Sequence, residues 1–239
     1  MRFSAVFFDL DDTLVDNRTA ERHGLQVVAT SMGIDPSLAE QRWSTSLRST
    51  WHLALEGRMD VTESRRQRIR AIAAPNPISD FDADQHLAHY QAVYRQHWKP
   101  FPEVLEVFGG LLAAPGLALA VVTNGMPDQQ ADKLRAIGLP GLVPHLVTPA
   151  IAGFRKPHSG IFHYACTRFG CLPEQCIHVG DHFDDDVVGA KAAGLTPVWL
   201  RRNSLDLAAA PGHDCIDNLY GLADILELPI PSTKIVGEA

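Results

Sequence analysis

At 239 residues with 46% hydrophobic content, the chain is long enough to bury a full core, as one large domain or as one domain carrying an insertion. Its 21 basic and 28 acidic residues leave a formal charge of −7, which supplies no broad positive surface for a polyanionic backbone and argues against nucleic acid as a partner. Cys166, Cys171, Cys176 and Cys215 form no CxxC pair and have no histidines at zinc-finger spacing, so they read as reduced thiols.

The first element is a short apolar run, Ala5 to Phe8, after a single Arg2. It breaks at once into Asp9, Asp11 and Asp12, which is neither the apolar region nor the cleavage site of a signal peptide, and no other stretch is long enough to span a bilayer. The expected compartment is the cytoplasm, with no membrane partner. The run itself reads as a buried strand, and Phe8-Asp9-Leu10-Asp11-Asp12-Thr13-Leu14 stands at its end, where an open α/β sheet presents its ligand site. Such closely spaced carboxylates repel one another unless a cation sits among them. An acidic loop capping the next element is the ordinary alternative, but the position after a strand and the DxDxT spacing point to a divalent metal.

Between residues 18 and 98 the pattern changes: Gly and Pro are sparse, and apolar residues such as Leu25, Val28 and Met32 recur at helical spacing. The segment reads as a helical insertion, bounded by Val15 to Arg18 and by Lys99-Pro100-Phe101-Pro102, whose prolines suit a stiff hinge. Strand candidates resume at Leu119–Thr123, Leu146–Thr148, Ile177–Val179 and Thr196–Leu200, with a shorter one at Cys215–Ile216. Their recurrence between helical patterns is the rhythm of a parallel α/β sheet. The residues after Pro229 read as peripheral.

Three of these later segments carry chemistry-bearing residues. Val121-Val122-Thr123-Asn124-Gly125 ends a strand in a hydroxyl, an amide and a glycine, which suits a phosphate as well as an ordinary turn. Lys156-Pro157 precedes a helix beginning near Ser159, placing an ammonium beside a helix N-terminus, although a lysine there is commonly a solvated loop residue. His178-Val179-Gly180-Asp181 ends another strand, and Asp184 to Asp186 open the next helix as cap and first-turn charges. Asp181 follows directly on the strand, at the edge that also carries Asp9.

Taken in this order, the four segments resemble the haloacid dehalogenase superfamily in its phosphatase branch. The DxDx[TV] motif is matched by Asp9, Asp11 and Thr13, the strand-end Ser or Thr by Thr123, the lysine by Lys156, and GDxxxxD by Gly180, Asp181 and Asp186. The resemblance implies a Rossmann-like parallel sheet core, three-layered α/β/α, formed by residues 1–17 and 99–239, with 18–98 as a helical C1 cap that closes over the catalytic edge. It further implies a Mg²⁺-dependent phosphomonoesterase acting on a small phosphorylated metabolite of nucleotide, flavin mononucleotide or sugar-phosphate type, as a monomer or homodimer.

In the scheme so implied, Asp9 attacks phosphorus, and Asp11 protonates the leaving oxygen and then takes a proton from water. Mg²⁺ is held by the Asp9 carboxylate, the Asp11 main-chain carbonyl and Asp181, while Asp186 orients a metal-bound water or Lys156. Thr123 and Lys156 bind the phosphoryl oxygens, with backbone N–H groups near Leu10 and Asn124. His182 either lines the entrance or is an exposed loop histidine; Trp51 and Arg58 either touch a leaving group or belong to the insertion's own packing. The alternatives are a phosphomutase with the same motifs, a dehalogenase, against which Asp11 argues, and a binding module that has lost the chemistry.

Overall fold

The computed structural model describes residues 2–202 and 214–229. The peripheral reading of the chain after Pro229 lies outside them. Its strands are β1 (Ala5–Phe8), β2 (Ala118–Val122), β3 (Leu146–Val147), β4 (Cys176–Gly180), β5 (Thr196–Leu200) and β6 (Asp214–Ile216). The chain divides into two compact units, residues 1–16 with 99–239 and residues 17–98.

The first unit is a parallel six-stranded sheet in the order β3-β2-β1-β4-β5-β6. Successive strand residues face opposite layers, and both layers are dry. Val6, Phe8, Val121 and Val179 join α5 (Val104–Leu112) and α6 (Pro127–Ala136) in one cluster. Ala5, Phe7, Ala120 and Val122 join α8 (Ser159–Phe169) in the other. Burial on both faces is why the strands read as continuous apolar runs. The short helices α7 (Pro149–Ala152), α9 (Gly189–Ala192) and α10 (Leu222–Leu226) complete the layers. On α5, Val104, Val107, Phe108 and Leu111 are buried, the spacing of a single helical stripe.

Register sets the site. Phe8 is level with Val121 on β2 and with Val179 on β4, so the residues that follow these three positions emerge along one edge of the sheet. Two strands end one residue earlier than their sequence predicts. β2 ends at Val122, leaving Thr123 as the first residue beyond it, and Thr148 leaves β3 to stand at the N-cap of α7. Cys166, Cys171 and Cys176 are free thiols that converge, with Cys176 Sγ 2.9 Å from Cys171 Sγ and 3.8 Å from Cys166 Sγ. The linear spacing did not suggest that meeting, because the loop between α8 and β4 folds its two ends together.

The second unit is all helical: α1 (Asn17–Met32), α2 (Pro36–Leu55), α3 (Val61–Ala73) and α4 (Asp80–Gln96). Asp35, Asp60 and Ser79 cap the last three by accepting from backbone N–H groups of the first turn. Its core combines Leu25, Val28, Ile69, Ile72 and Leu87 with the rings of Trp43, Tyr90, Tyr94 and Trp98. Gly24 lets α1 approach α4, since a Cβ there would lie 2.7 Å from the Tyr90 ring. Arg68 is buried in this core, its Nε donating to the Ser64 carbonyl at 3.3 Å and its guanidinium lying over Trp43 (4.9 Å) and Trp51 (5.7 Å). Trp51 therefore takes part in the unit's own packing, and Arg58 pairs with Glu56 at 3.0 Å.

Candidate active site

Asp9 leaves β1 with its backbone still tied to β4, its N–H donating to the Val179 carbonyl at 2.8 Å. The chain then turns tightly: Leu14 and Val15 both donate to the Leu10 carbonyl at 2.9 Å, and Asp12 adopts φ +58°, a left-handed conformation that aspartate tolerates. Arg202 braces this turn. It donates to the Thr13 carbonyl at 2.6 Å and to Glu103 at 2.7 Å, with its guanidinium 3.5 Å from the centre of the Phe101 ring. The Thr13 hydroxyl is buried and has no hydrogen-bond partner among the described residues.

Lys156 is buried between two carboxylates, its Nζ 2.6 Å from Asp9 Oδ1 and 2.6 Å from Asp186 Oδ1. The same Asp186 oxygen meets His178 Nε2 at 2.9 Å, and its Oδ2 accepts from the His182 N–H at 3.0 Å. Asn124 fixes the lysine's backbone, donating to the Lys156 carbonyl at 3.0 Å and accepting from its N–H at 2.8 Å. Asn124 also donates to Asp185 at 3.2 Å, so Asp185 is tied into the site beyond any first-turn role. Gly180 is required by closeness: a Cβ there would stand 2.2 Å from Asp186 Cγ. The acidic segment Phe183–Val188 opens as a π-helical turn capped by His182, an exposed side chain that accepts from the Asp185 N–H.

These charges do not share one environment. Burial pushes the Asp9 carboxyl well above its ordinary range; Lys156 opposes that, while Asp186 and Asp181 add to it. Burial also acts against the charged forms of Lys156 and Asp186, but mutual attraction outweighs it, raising the lysine and holding Asp186 well below the usual carboxylate range. His178 is pushed down by burial despite its bond to Asp186, so it is a neutral donor at physiological pH.

Asp9, Asp181 and Asp186 offer carboxylate oxygens that all lie within 4.8 Å of one another. Trp199 Nε1 holds the Asp181 carbonyl at 3.0 Å. An all-carboxylate donor set suits a hard divalent cation such as Mg²⁺. Both Asp186 oxygens already accept from protein donors, whereas Lys156 engages only Oδ1 of Asp9.

On the β2 side, Thr123 Oγ1 accepts from the Gly125 N–H at 3.2 Å and from Gln130 Nε2 at 2.9 Å. Two incoming donors fill its lone pairs, which leaves the hydroxyl proton for a ligand. Gln130 Nε2 also donates to Asp11 Oδ2 at 3.1 Å, and Lys133 Nζ pairs with Asp11 Oδ1.

Residues 3–194 match the family model of the haloacid dehalogenase-like hydrolases. The chain belongs to that family. It is 28% identical over 202 residues to a glyceraldehyde 3-phosphate phosphatase of Methanopyrus kandleri, covering 83% of this chain and 84% of that protein. It is also 28% identical over 220 residues to a phosphoserine phosphatase of Thermus thermophilus (82% and 88% covered). The N-acylneuraminate-9-phosphatase of Homo sapiens is 26% identical over 241 residues (95% and 93% covered). Among solved structures, the magnesium-bound HAD-hydrolase YfnB of Bacillus subtilis superposes with a TM-score of 0.77 at 24% identity, over 95% of this chain and 100% of that one. This haloacid dehalogenase-like hydrolase is a phosphatase, with the family's Rossmann-like fold.

All the motif residues of this hydrolase, Asp9, Asp11, Thr13, Thr123, Asn124, Lys156, Gly180, Asp181 and Asp186, lie in the sheet unit. Asp9, Lys156, Asp181 and Asp186 form one charged cluster, and Asp11 with Thr123 forms a second group beside α6. Sequence reading missed Gln130, Lys133 and His178. The first two sit three residues apart on the helix that follows the Thr123 tip, so they share its face, and that offset was the available signal.

Proposed function

We propose that the protein is a Mg²⁺-dependent phosphomonoesterase that works through a phospho-aspartate on Asp9, and that its substrate is a small phosphorylated metabolite. One observation carries this reading: Lys156 bridges Asp9 and Asp186 at 2.6 Å each, with Asp181 close enough to share a cation with both. The ammonium offsets the repulsion between a carboxylate nucleophile and a phosphate dianion.

Asp9 forms the bond to phosphorus as the bond to the leaving oxygen breaks, and Asp11 gives that oxygen a proton. Water then attacks phosphorus, the Asp9–phosphorus bond breaks, and Asp11 takes the proton back. The Thr123 O–H and the backbone N–H groups near Leu10 and Asn124 receive the phosphoryl oxygens, and Asp186 keeps Lys156 in place. The Asp9 and Asp181 carboxylates and the Asp11 main-chain carbonyl would hold Mg²⁺, which when bound would add to the neutralisation of the transferring group. Gly180 and Thr13 support this arrangement.

Release of phosphate from 4-nitrophenyl phosphate is expected to require Mg²⁺, to stop with EDTA and to be absent in Asp9→Asn. Full activity in that variant would remove Asp9 as the nucleophile. A substrate screen then compares nucleoside monophosphates, flavin mononucleotide, sugar phosphates and phosphoglycolate with the compounds for which the relatives are named, glyceraldehyde 3-phosphate, phosphoserine and N-acylneuraminate 9-phosphate. Isomerised sugar phosphate in place of free phosphate would replace hydrolysis with a mutase reaction.

A further inference from the structure

We propose that Lys133 and Gln130 are positioning residues that hold the Asp11 carboxyl and the Thr123 hydroxyl together as one proton-handling unit. The inference rests on the roles proposed above for Asp11 and Thr123, and adds to them the two side chains that aim both groups.

Lys133 and Gln130 are each 1% exposed, although neither residue type is ordinarily buried. Both lie on α6, three residues apart and hence on one face, and the neighbouring Leu134 anchors that helix in the apolar cluster beneath the sheet. The Asp11 side chain is 34% exposed. The anchors are therefore behind, and the group they hold is the part that reaches outward.

Each Asp11 oxygen has its own donor: Oδ1 takes Lys133 and Oδ2 takes Gln130. Two donors from different side chains define the carboxyl plane, which a single ammonium would leave free to rotate. Gln130 Nε2 is shared, reaching Thr123 Oγ1 at 2.9 Å and Asp11 Oδ2 at 3.1 Å, so one amide ties the phosphate-facing hydroxyl to the carboxyl.

Gln130 Oε1, by contrast, is buried with no partner among the described residues. A side chain serving only to fill space would do so better as leucine, without an orphaned acceptor. The amide is retained for its donor. Gly125 fits the same account, because a Cβ there would fall 2.1 Å from Gln130 Nε2 and push the amide out of the bridge.

The test is the leaving-group dependence of the rate in Mg²⁺-loaded enzyme, using 4-nitrophenyl, phenyl and benzyl phosphate. Protonation matters little for the weakly basic 4-nitrophenolate and most for the benzyl alkoxide. Lys133→Met and Gln130→Leu are expected to lower kcat for benzyl phosphate at least about tenfold more than for 4-nitrophenyl phosphate, with Lys133→Arg restoring part of the benzyl rate. An equal loss on all three esters, or a loss confined to KM, would overturn the inference and leave these residues as structural ballast. Circular dichroism decides whether Lys133→Met folds; if it does not, Gln130→Leu and Lys133→Arg carry the same comparison. A wild-type enzyme inert toward every ester would instead remove the phosphomonoesterase reading itself.

Discussion

Lys156 in the sheet unit and Arg68 in the helical unit are both buried cations, stabilised by different means. Lys156 lies between the carboxylates of Asp9 and Asp186, and their attraction raises its pKa despite burial. Arg68 lies over the faces of Trp43 and Trp51, and burial lowers its pKa. A cation held between carboxylates at a strand tip is a fixed charge that a second anion can share, whereas one held by ring faces is part of a packed core. The difference separates charge kept for chemistry from charge absorbed into architecture.

Of the two buried cations, Lys156 should give the larger effect on substitution. Lys156→Met is expected to lower kcat for 4-nitrophenyl phosphate by about 10²- to 10³-fold, since in the proposed mechanism it removes the principal cation facing the transferring group. A loss below about tenfold, with secondary structure intact by circular dichroism, would break the contrast.

Asp9→Asn sharpens it from the other side. Because the folded state raises the Asp9 pKa, its ionised form opposes folding at every pH above that raised value, and the opposition fades as pH falls through it. Without Mg²⁺ at neutral pH the variant is expected to melt at a higher temperature than wild type, Lys156 keeping its partner Asp186. It should also lose most of the gain in Tm that Mg²⁺ is expected to give wild type. A lower Tm without metal would mean that the Asp9–Lys156 bond outweighs the burial of Asp9.

His178 gives a smaller signal. Its folded pKa lies below the unfolded value, so the unfolded chain takes up the proton first and stability falls as pH drops below about 6.5. One such group contributes a slope of at most about 1.4 kcal/mol per pH unit. His178→Gln, which can still donate to Asp186, is expected to flatten that slope in urea melts between pH 7.5 and 5.5. An unchanged slope would move the proton uptake elsewhere.

The smallest effect is expected at Arg68. Arg68→Met should change stability by no more than about 1 kcal/mol, because the lost ring-face attraction and the relieved burial of charge oppose each other, and kcat for 4-nitrophenyl phosphate should stay within about twofold of wild type. A collapse of turnover with an unaltered melting curve would place this arginine in the chemistry after all.

Much of the fold was legible because a sheet covered on both faces leaves its mark in uninterrupted apolar runs. Ala5–Phe8 and Thr196–Leu200 were read to the residue, while β2 and β3 ended one residue early, where Thr123 and Thr148 turn from pairing to capping or binding. The acidic loop announced itself by putting like charges side by side. Lys156 could be singled out only in company, since a lysine before a proline is ordinary in any loop. Gln130 and Lys133 stayed hidden for a different reason. In Pro127–Ala136 they resemble the solvent face of an amphipathic helix, and only the position of that helix beside two strand tips turns the face inward.

The pairing of Asp9 with Lys156 spans 147 positions, and β1 lies between β2 and β4. A nascent chain therefore exposes Asp9 long before the ribosome has made the Lys156 ammonium that will face it. Neither lateral neighbour of the central strand exists until well after the helical segment has emerged. The acidic tip cannot guide early assembly, so sheet formation waits on late, distant segments, and this unit is expected to gain its structure more slowly than the locally wired helices synthesised before it.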